Sequence, residues 1–134
     1  MSDLPDTDEA RRSAGMATRR EVLGDAHVDR AVAAITPFTA DFQDFITRTA
    51  WGDVWQRPGL ARRDRSLLTL AITIALRHWD EFALHVRAAK NNGLTDEEIG
   101  EVIQHAAVYA GVPAANHAFK VAAPILEELR DSMS

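Results

Sequence analysis

A chain of 134 residues, 46% hydrophobic and 26% charged, can bury a core without disulfides or a structural metal, and its composition is that of a globular protein rather than a disordered one. The net charge of −5, from 15 basic against 20 acidic side chains, argues against a general nucleic-acid surface. The absence of cysteine excludes thiol nucleophiles, CxxC redox chemistry, cysteine zinc sites and disulfides. The longest apolar run, LLTLAITIAL at 67–76, contains two threonines and ends at Arg77. It falls short of the roughly 18 residues that suggest a membrane span, so a soluble, cytoplasmic protein with no membrane partner is expected.

One domain over residues 1–134 is expected, with residues 1–8, polar and lacking the basic start and apolar run of a secretory signal, as a flexible tail. The pattern is helical almost throughout. Segment 8–23 reads as an amphipathic helix ending at Gly24, and a short helix follows over 26–35. Thr36 suits an N-cap with Pro37 at the first helical position, opening a helix to about Ala50 with Phe38, Phe42, Phe45 and Ile46 on one face. Gly52, Pro58 and Gly59 punctuate the next connection.

From about Ala61 to Trp79 runs the most apolar element, too long for an ordinary strand and apolar almost all round, as expected of a helix at the centre of the fold or in a subunit interface. Residues 80–91 continue as helix after a small break and stop at Asn92-Gly93, where glycine suits a left-handed cap. Thr95 and Glu98 form a TxxE capping box that opens a helix from Asp96 to about Ala110. Gly111-Val112-Pro113 ends that helix and starts the last, which runs to about Arg130, with Pro124 inside it to kink or break it. The class is all-α, a bundle of six or seven helices.

Within RHWDEFALHVRAA at 77–89, His78, Glu81 and His85 fall on one helical stripe. Three readings are open: a metal site, a proton-transfer pair in which the Glu81 carboxylate orients or charges the His85 imidazole, and a solvated i,i+4 pair. Arg57, Arg62, Arg63 and Arg65 cluster around the start of the central helix, where the helix dipole opposes positive charge. They either hold a carboxylate ligand or form salt bridges to Asp53, Asp64 and other acids. Trp51 and Trp55 share a face if their segment is helical, as walls of a pocket for a flat ring or as packing anchors. His117 lies early in the last helix, pointing into a cavity or hydrogen-bonded structurally; His105 and His27 carry less signal.

The strings AWGDVWQRPGLARRDRSLLTLAITIAL and ALHVRAAKNNGLTDEEIGEVIQHAAVYAGVPAANHAFKVA, with GDAHVDRA upstream, resemble the carboxymuconolactone decarboxylase family over residues 12–128. That family shares the alkyl hydroperoxidase D-like helical fold, whose peroxidase members carry a CxxCxxxH motif. Placing their histidine on His85 puts the two cysteines at His78 and Glu81 and the relay glutamate near Ser66, so this sequence has replaced both thiols and the relay carboxylate.

The resemblance implies decarboxylation of 4-carboxymuconolactone to 3-oxoadipate enol-lactone and CO2, in the protocatechuate branch of the β-ketoadipate pathway, with no cofactor and no metal. It implies a small dicarboxylate lactone as substrate, no nucleic acid, and a homo-oligomer, trimer or hexamer. In that scheme Glu81 and His85 move the proton, Arg65, with Arg62 or Arg57, binds carboxylate, Ser66 or His117 donates to the developing oxyanion, and Trp51 and Trp55 wall the substrate. A cysteine-less relative acting on another small lactone or carboxylate, and a non-catalytic helical assembly module, are the competing expectations.

Overall fold

A computed structural model describes residues 4–133. All regular structure in them is helical, and the chain resolves into two compact units, Met1–Ala61 and Arg62–Ser134. No described helix is long and apolar enough to cross a membrane. The expected tail over 1–8 falls partly on residues 1–3, outside the described residues. Its far end is structured, because Thr7 caps the first helix by accepting a hydrogen bond from the Ala10 N–H at 3.1 Å.

In the first unit, α1 (Asp8–Leu23) stops at Gly24, whose φ of 91° is the left-handed region where glycine carries no Cβ penalty. Helix α2 is Asp25–Ala33 and α3 is Ala40–Ile46. The helix expected to be capped by Thr36 and to start at Pro37 is preceded instead by Thr39 and starts at Ala40, three residues later. Residues 36–39 form a turn in which Thr39 Oγ1 accepts from the Thr36 N–H at 3.0 Å, and Phe38, 96% exposed, has no packing that would draw the segment into a helix. Phe42 and Phe45, on the expected apolar face, are also exposed.

Beyond Ile46 the chain widens into a π-helical stretch, Thr47–Trp51, and then a 3-10 turn, Val54–Gln56, instead of one helix to Ala50. Two causes are visible. Thr47 and Thr49 each donate a hydroxyl hydrogen bond to the carbonyl four residues back at 2.7 Å, a pattern that bends helices. Gly15 of α1 also lies so close to the Thr47 carbonyl and to Gly52 that the backbones touch. Asp44 receives both Arg12 Nε at 2.5 Å and Arg48 Nε at 2.7 Å, which ties α1 to this segment.

The second unit is α4 (Arg62–Ala75), α5 (Trp79–Asn91), α6 (Asp96–Ala110) and α7 (Val112–Ser132). Leu70 and Ile74 of α4, Phe82 and Val86 of α5, Ile99 and Ile103 of α6 and Ala118 of α7 form one core with at most 1% exposure each. Helix α4 is not buried all round: Leu68 and Ile72 on its outer face, and Leu76 just beyond its end, are half exposed or more. The capping box forms as expected, with Glu98 N–H donating to Thr95 Oγ1 and Thr95 N–H to the Glu98 carboxylate. Helix α7 continues through Pro124 without a break. Lys120, whose carbonyl loses its donor there, and Pro124 are both exposed, on the side of the helix where solvent can reach that carbonyl.

Candidate active site

The site is built at the corner between α4 and α5. Helix α4 ends with the Arg77 N–H bonded to Ile74 O at 3.1 Å and the His78 N–H to Thr73 O at 2.9 Å, a Schellman-type termination in which Arg77 takes the left-handed position at φ 57°. His78 therefore stands outside α5 as its N-cap residue, with φ −87° and ψ 78°. The expected stripe of three is broken: only Glu81 and His85 share a helical face. Among the described residues no group of three His, Asp or Glu side chains is disposed to hold a metal ion.

An open cavity of about 520 Å³ lies at this corner, lined by Arg77, His78, Trp79, Asp80 and Glu81. Glu81 leaves 62% of its side chain exposed, whereas His85, one turn deeper, leaves 8%. Their closest approach, His85 Nε2 to Glu81 Oε2, is 4.0 Å, beyond a direct hydrogen bond and short enough for one rotamer adjustment or a bridging atom to connect them. A carboxylate facing solvent and an imidazole facing the interior suit the pair to passing a proton between a ligand and the protein. Trp79 packs edge-on to Phe82 at 5.9 Å and against the His117 ring at 4.4 Å, which brings the exposed His117 of α7 to the first turn of α5.

Ser66 and Arg65 lie elsewhere. Ser66 is fully buried and its Oγ accepts a hydrogen bond from Asn92 Nδ2 at 2.8 Å, while Arg65 beside it is half-buried. With Thr73 bonded to His78 at one end and Ser66 to Asn92 at the other, α4 and α5 run antiparallel. Ser66 is thus level with Asn92, about 16 Å along the helix axis from Glu81 at 1.5 Å per residue.

Of the other arginines, Arg57 faces Asp53 at 3.3 Å, and Arg63 lies 4.0 Å from Asp64 and bonds to the Glu98 carboxylate. Glu98 is held below the usual carboxylate range by the Thr95 backbone N–H first and by Arg63 second. Trp51 and Trp55 belong to the first unit and to two different segments, one π-helical and one 3-10, where their rings stack at 5.1 Å and 27°.

The sequence assigns no site role to three residues of this geometry: Arg77, Trp79 and Asn92. The clue to Arg77 was available. Two helical patterns meet at 76–79 with neither glycine nor asparagine between them, so an ordinary residue has to take the left-handed turn. Asn92 reads from sequence only as a helix stop, because its side-chain partner, Ser66, lies 26 positions away.

The carboxymuconolactone decarboxylase family model matches residues 40–124, which include the whole corner. The chain is 48% identical over 122 residues to a 4-carboxymuconolactone decarboxylase of Acinetobacter baylyi, covering 91% of each chain. It is 47% identical over 117 residues, 87% of this chain and 82% of the relative, to a nitrosuccinic acid decarboxylase of Metarhizium robertsii. A 4-carboxymuconolactone decarboxylase of Pseudomonas putida is 52% identical over 46 residues, 34% of this chain and 96% of that relative. With the all-α, alkyl hydroperoxidase D-like class borne out by the helices, and with the match running nearly end to end, the chain belongs to the carboxymuconolactone decarboxylase family.

Proposed function

We propose that the protein is a carboxy-lyase that converts 4-carboxymuconolactone to 3-oxoadipate enol-lactone and CO2 in the protocatechuate branch of the β-ketoadipate pathway. The observation that carries this reading is the near end-to-end identity of 48% to a protein of that name, which spans the Glu81/His85 corner. The substrate supplies its own electron sink. Its leaving carboxylate sits on the ring carbon vinylogous to the lactone carbonyl, so the electrons of the breaking C–C bond form a ring double bond and displace the existing one onto the carbonyl oxygen. A proton delivered to the carbon next to the carbonyl completes the enol-lactone.

Three tasks remain for the protein: holding the carboxylates, stabilising the dienolate oxygen and delivering the proton. His85 and Glu81 move the proton. The shielded imidazole is ordered by its helix, and the exposed carboxylate meets ligand entering the cavity. His117, on the Trp79 ring, is the donor for the dienolate oxygen, and Ser66 and Arg65, about 16 Å along the axis from Glu81, are outside its reach. No cofactor or metal enters this scheme. Incubating metal-free protein with 4-carboxymuconolactone, while following CO2 release and loss of the substrate's ultraviolet absorbance, tests it; no turnover at high enzyme concentration overturns it.

A second reading rests on the relative of almost equal identity. Nitrosuccinic acid also has a carboxylate on a carbon beside an electron sink, its nitro group, and a second carboxylate that can stay. Running both acids in the same assay ranks the two readings by kcat/KM.

The protein works as a cytoplasmic homo-oligomer, a trimer or hexamer. The exposed Leu68 and Ile72 of α4 and Leu76 just beyond it, with Val108 and Tyr109 of α6, form an apolar face that a monomer would leave in water. Light scattering of the purified protein measures the number of subunits.

A further inference from the structure

We propose that Arg77 binds the carboxylate that the substrate keeps, and that the left-handed backbone at this residue is held for that purpose. This rests on the decarboxylase reading and adds to it a residue at the Glu81 end of the corner.

Arg77 is the one non-glycine residue with positive φ among those described; the other three such positions are Gly24, Gly93 and Gly111. Gly24 and Gly111 have ψ near 145°, a different conformation. Gly93, however, ends α5 by the same pair of bonds as Arg77, its N–H to Lys90 O at 3.1 Å and the Leu94 N–H to Ala89 O at 3.0 Å, and there the residue is the one that carries no Cβ penalty. A helix stop alone therefore does not account for arginine here. Its side chain is exposed, and no described residue makes an ion pair or hydrogen bond with its guanidinium. Surface arginines elsewhere in the unit are paired, Arg63 with Glu98, Arg87 with Glu128 and Arg130 with Asp96.

Arg77 also lines the 520 Å³ cavity, in which it is the only arginine or lysine, together with Asp80 and Glu81. A dianionic ligand entering a cavity bordered by two carboxylates needs a positive partner, and a guanidinium offers a planar fork matched to a carboxylate. The Schellman bonds of residues 77 and 78 fix the start of this side chain relative to Glu81. Arg65, level with the far end of α5, is about 18 Å from Arg77 along the axis of α4. A clamp on the leaving carboxylate would stabilise the ground state, so the group held by Arg77 is the one retained.

The test is Arg77→Gly, with Arg77→Lys beside it, in steady-state kinetics on 4-carboxymuconolactone and in calorimetric titration with adipate, a dicarboxylate that cannot react. Glycine suits the backbone, so Arg77→Gly keeps or raises the melting temperature while KM and the adipate dissociation constant rise about 10- to 100-fold, as for loss of a charge-assisted pair. The rise in KM exceeds the fall in kcat, because the interaction is made equally in ground and transition states. Arg77→Lys recovers part of the affinity. A KM and an adipate affinity within twofold of wild type in Arg77→Gly overturn the proposal, as does wild-type protein that neither turns over the lactone nor binds adipate. Wild-type protein that binds adipate through Arg77 without turning over the lactone sinks the decarboxylase reading and leaves the carboxylate site standing.

Discussion

Two glycines inside helices should respond to the same substitution with opposite signs. Gly15 lies in the middle of α1 and Gly100 in α6, and replacing a helix-interior glycine by alanine ordinarily stabilises by about 0.5–1 kcal/mol. At Gly100 a new Cβ meets nothing within 4 Å, so Gly100→Ala should deliver that gain. At Gly15 the new Cβ would lie 2.1 Å from the Thr47 carbonyl oxygen, 2.8 Å from Gly52 N and 3.0 Å from Gly52 Cα. These are backbone atoms with no rotamer to relieve the contact, and C···O approaches are comfortable only near 3.3 Å or beyond. Helix α1 would have to withdraw by about 1 Å, which also stretches the Gln56 bond to Ala14 O and the Arg12 bonds to Asp44.

Overpacking costs typically about 1–3 kcal/mol, and a contact this short between backbones belongs at the upper end. After subtracting the propensity gain, Gly15→Ala should lose about 2 kcal/mol. Urea unfolding of both variants, followed by circular dichroism at fixed protein concentration, gives the comparison through the shift in midpoint. If Gly15→Ala is as stable as wild type or more so, the close approach of α1 to the π-helical turn is wrong.

Four further outcomes are expected. His85→Ala should lower kcat for 4-carboxymuconolactone by at least about 10²-fold, and near-normal turnover would remove His85 from the chemistry. Asp44 is held down to about 2 by hydrogen bonds from Arg12 and then Arg48, against an ordinary value of 3.8. Because its folded pKa is depressed, its contribution is fully present above pH 3.8 and is lost as pH falls towards about 2. Acid titration of wild type and Asp44→Asn should therefore differ in slope in that window and nowhere above it. Thr95→Ala removes the side-chain N-cap of α6 and should cost about 1 kcal/mol in the same urea assay. Ile72→Asp, on the exposed face of α4, should dissociate the oligomer in light scattering while the circular dichroism of the subunit is kept.

The local chemistry of the fold was legible in the sequence wherever it is made by neighbours in the chain. The Thr95/Glu98 box, the glycine stops at 24, 93 and 111, and the bounds of α1 and α6 follow from residues within four positions of each other. The sequence also placed Glu81 and His85 on one helical face, since four residues are about one turn. Family membership was legible too, because it rests on the order of residues along the chain.

Contacts across the chain were not legible, and they decide the rest. The π-helical turn at Thr47–Trp51 exists because α1 presses Gly15 against it, a pairing separated by 32 positions that no local pattern encodes. His78 left the Glu81/His85 stripe because α4 terminates through Arg77, and the start of α5 depends on where that termination closes. Periodicity gave α4 an apolar surface on every side; only packing against α5, α6 and α7 chose Leu70 and Ile74 for the core and left Leu68 and Ile72 outside. Helical spacing gives an angle around one axis, whereas burial and charge at a site depend on what the other helices place opposite it.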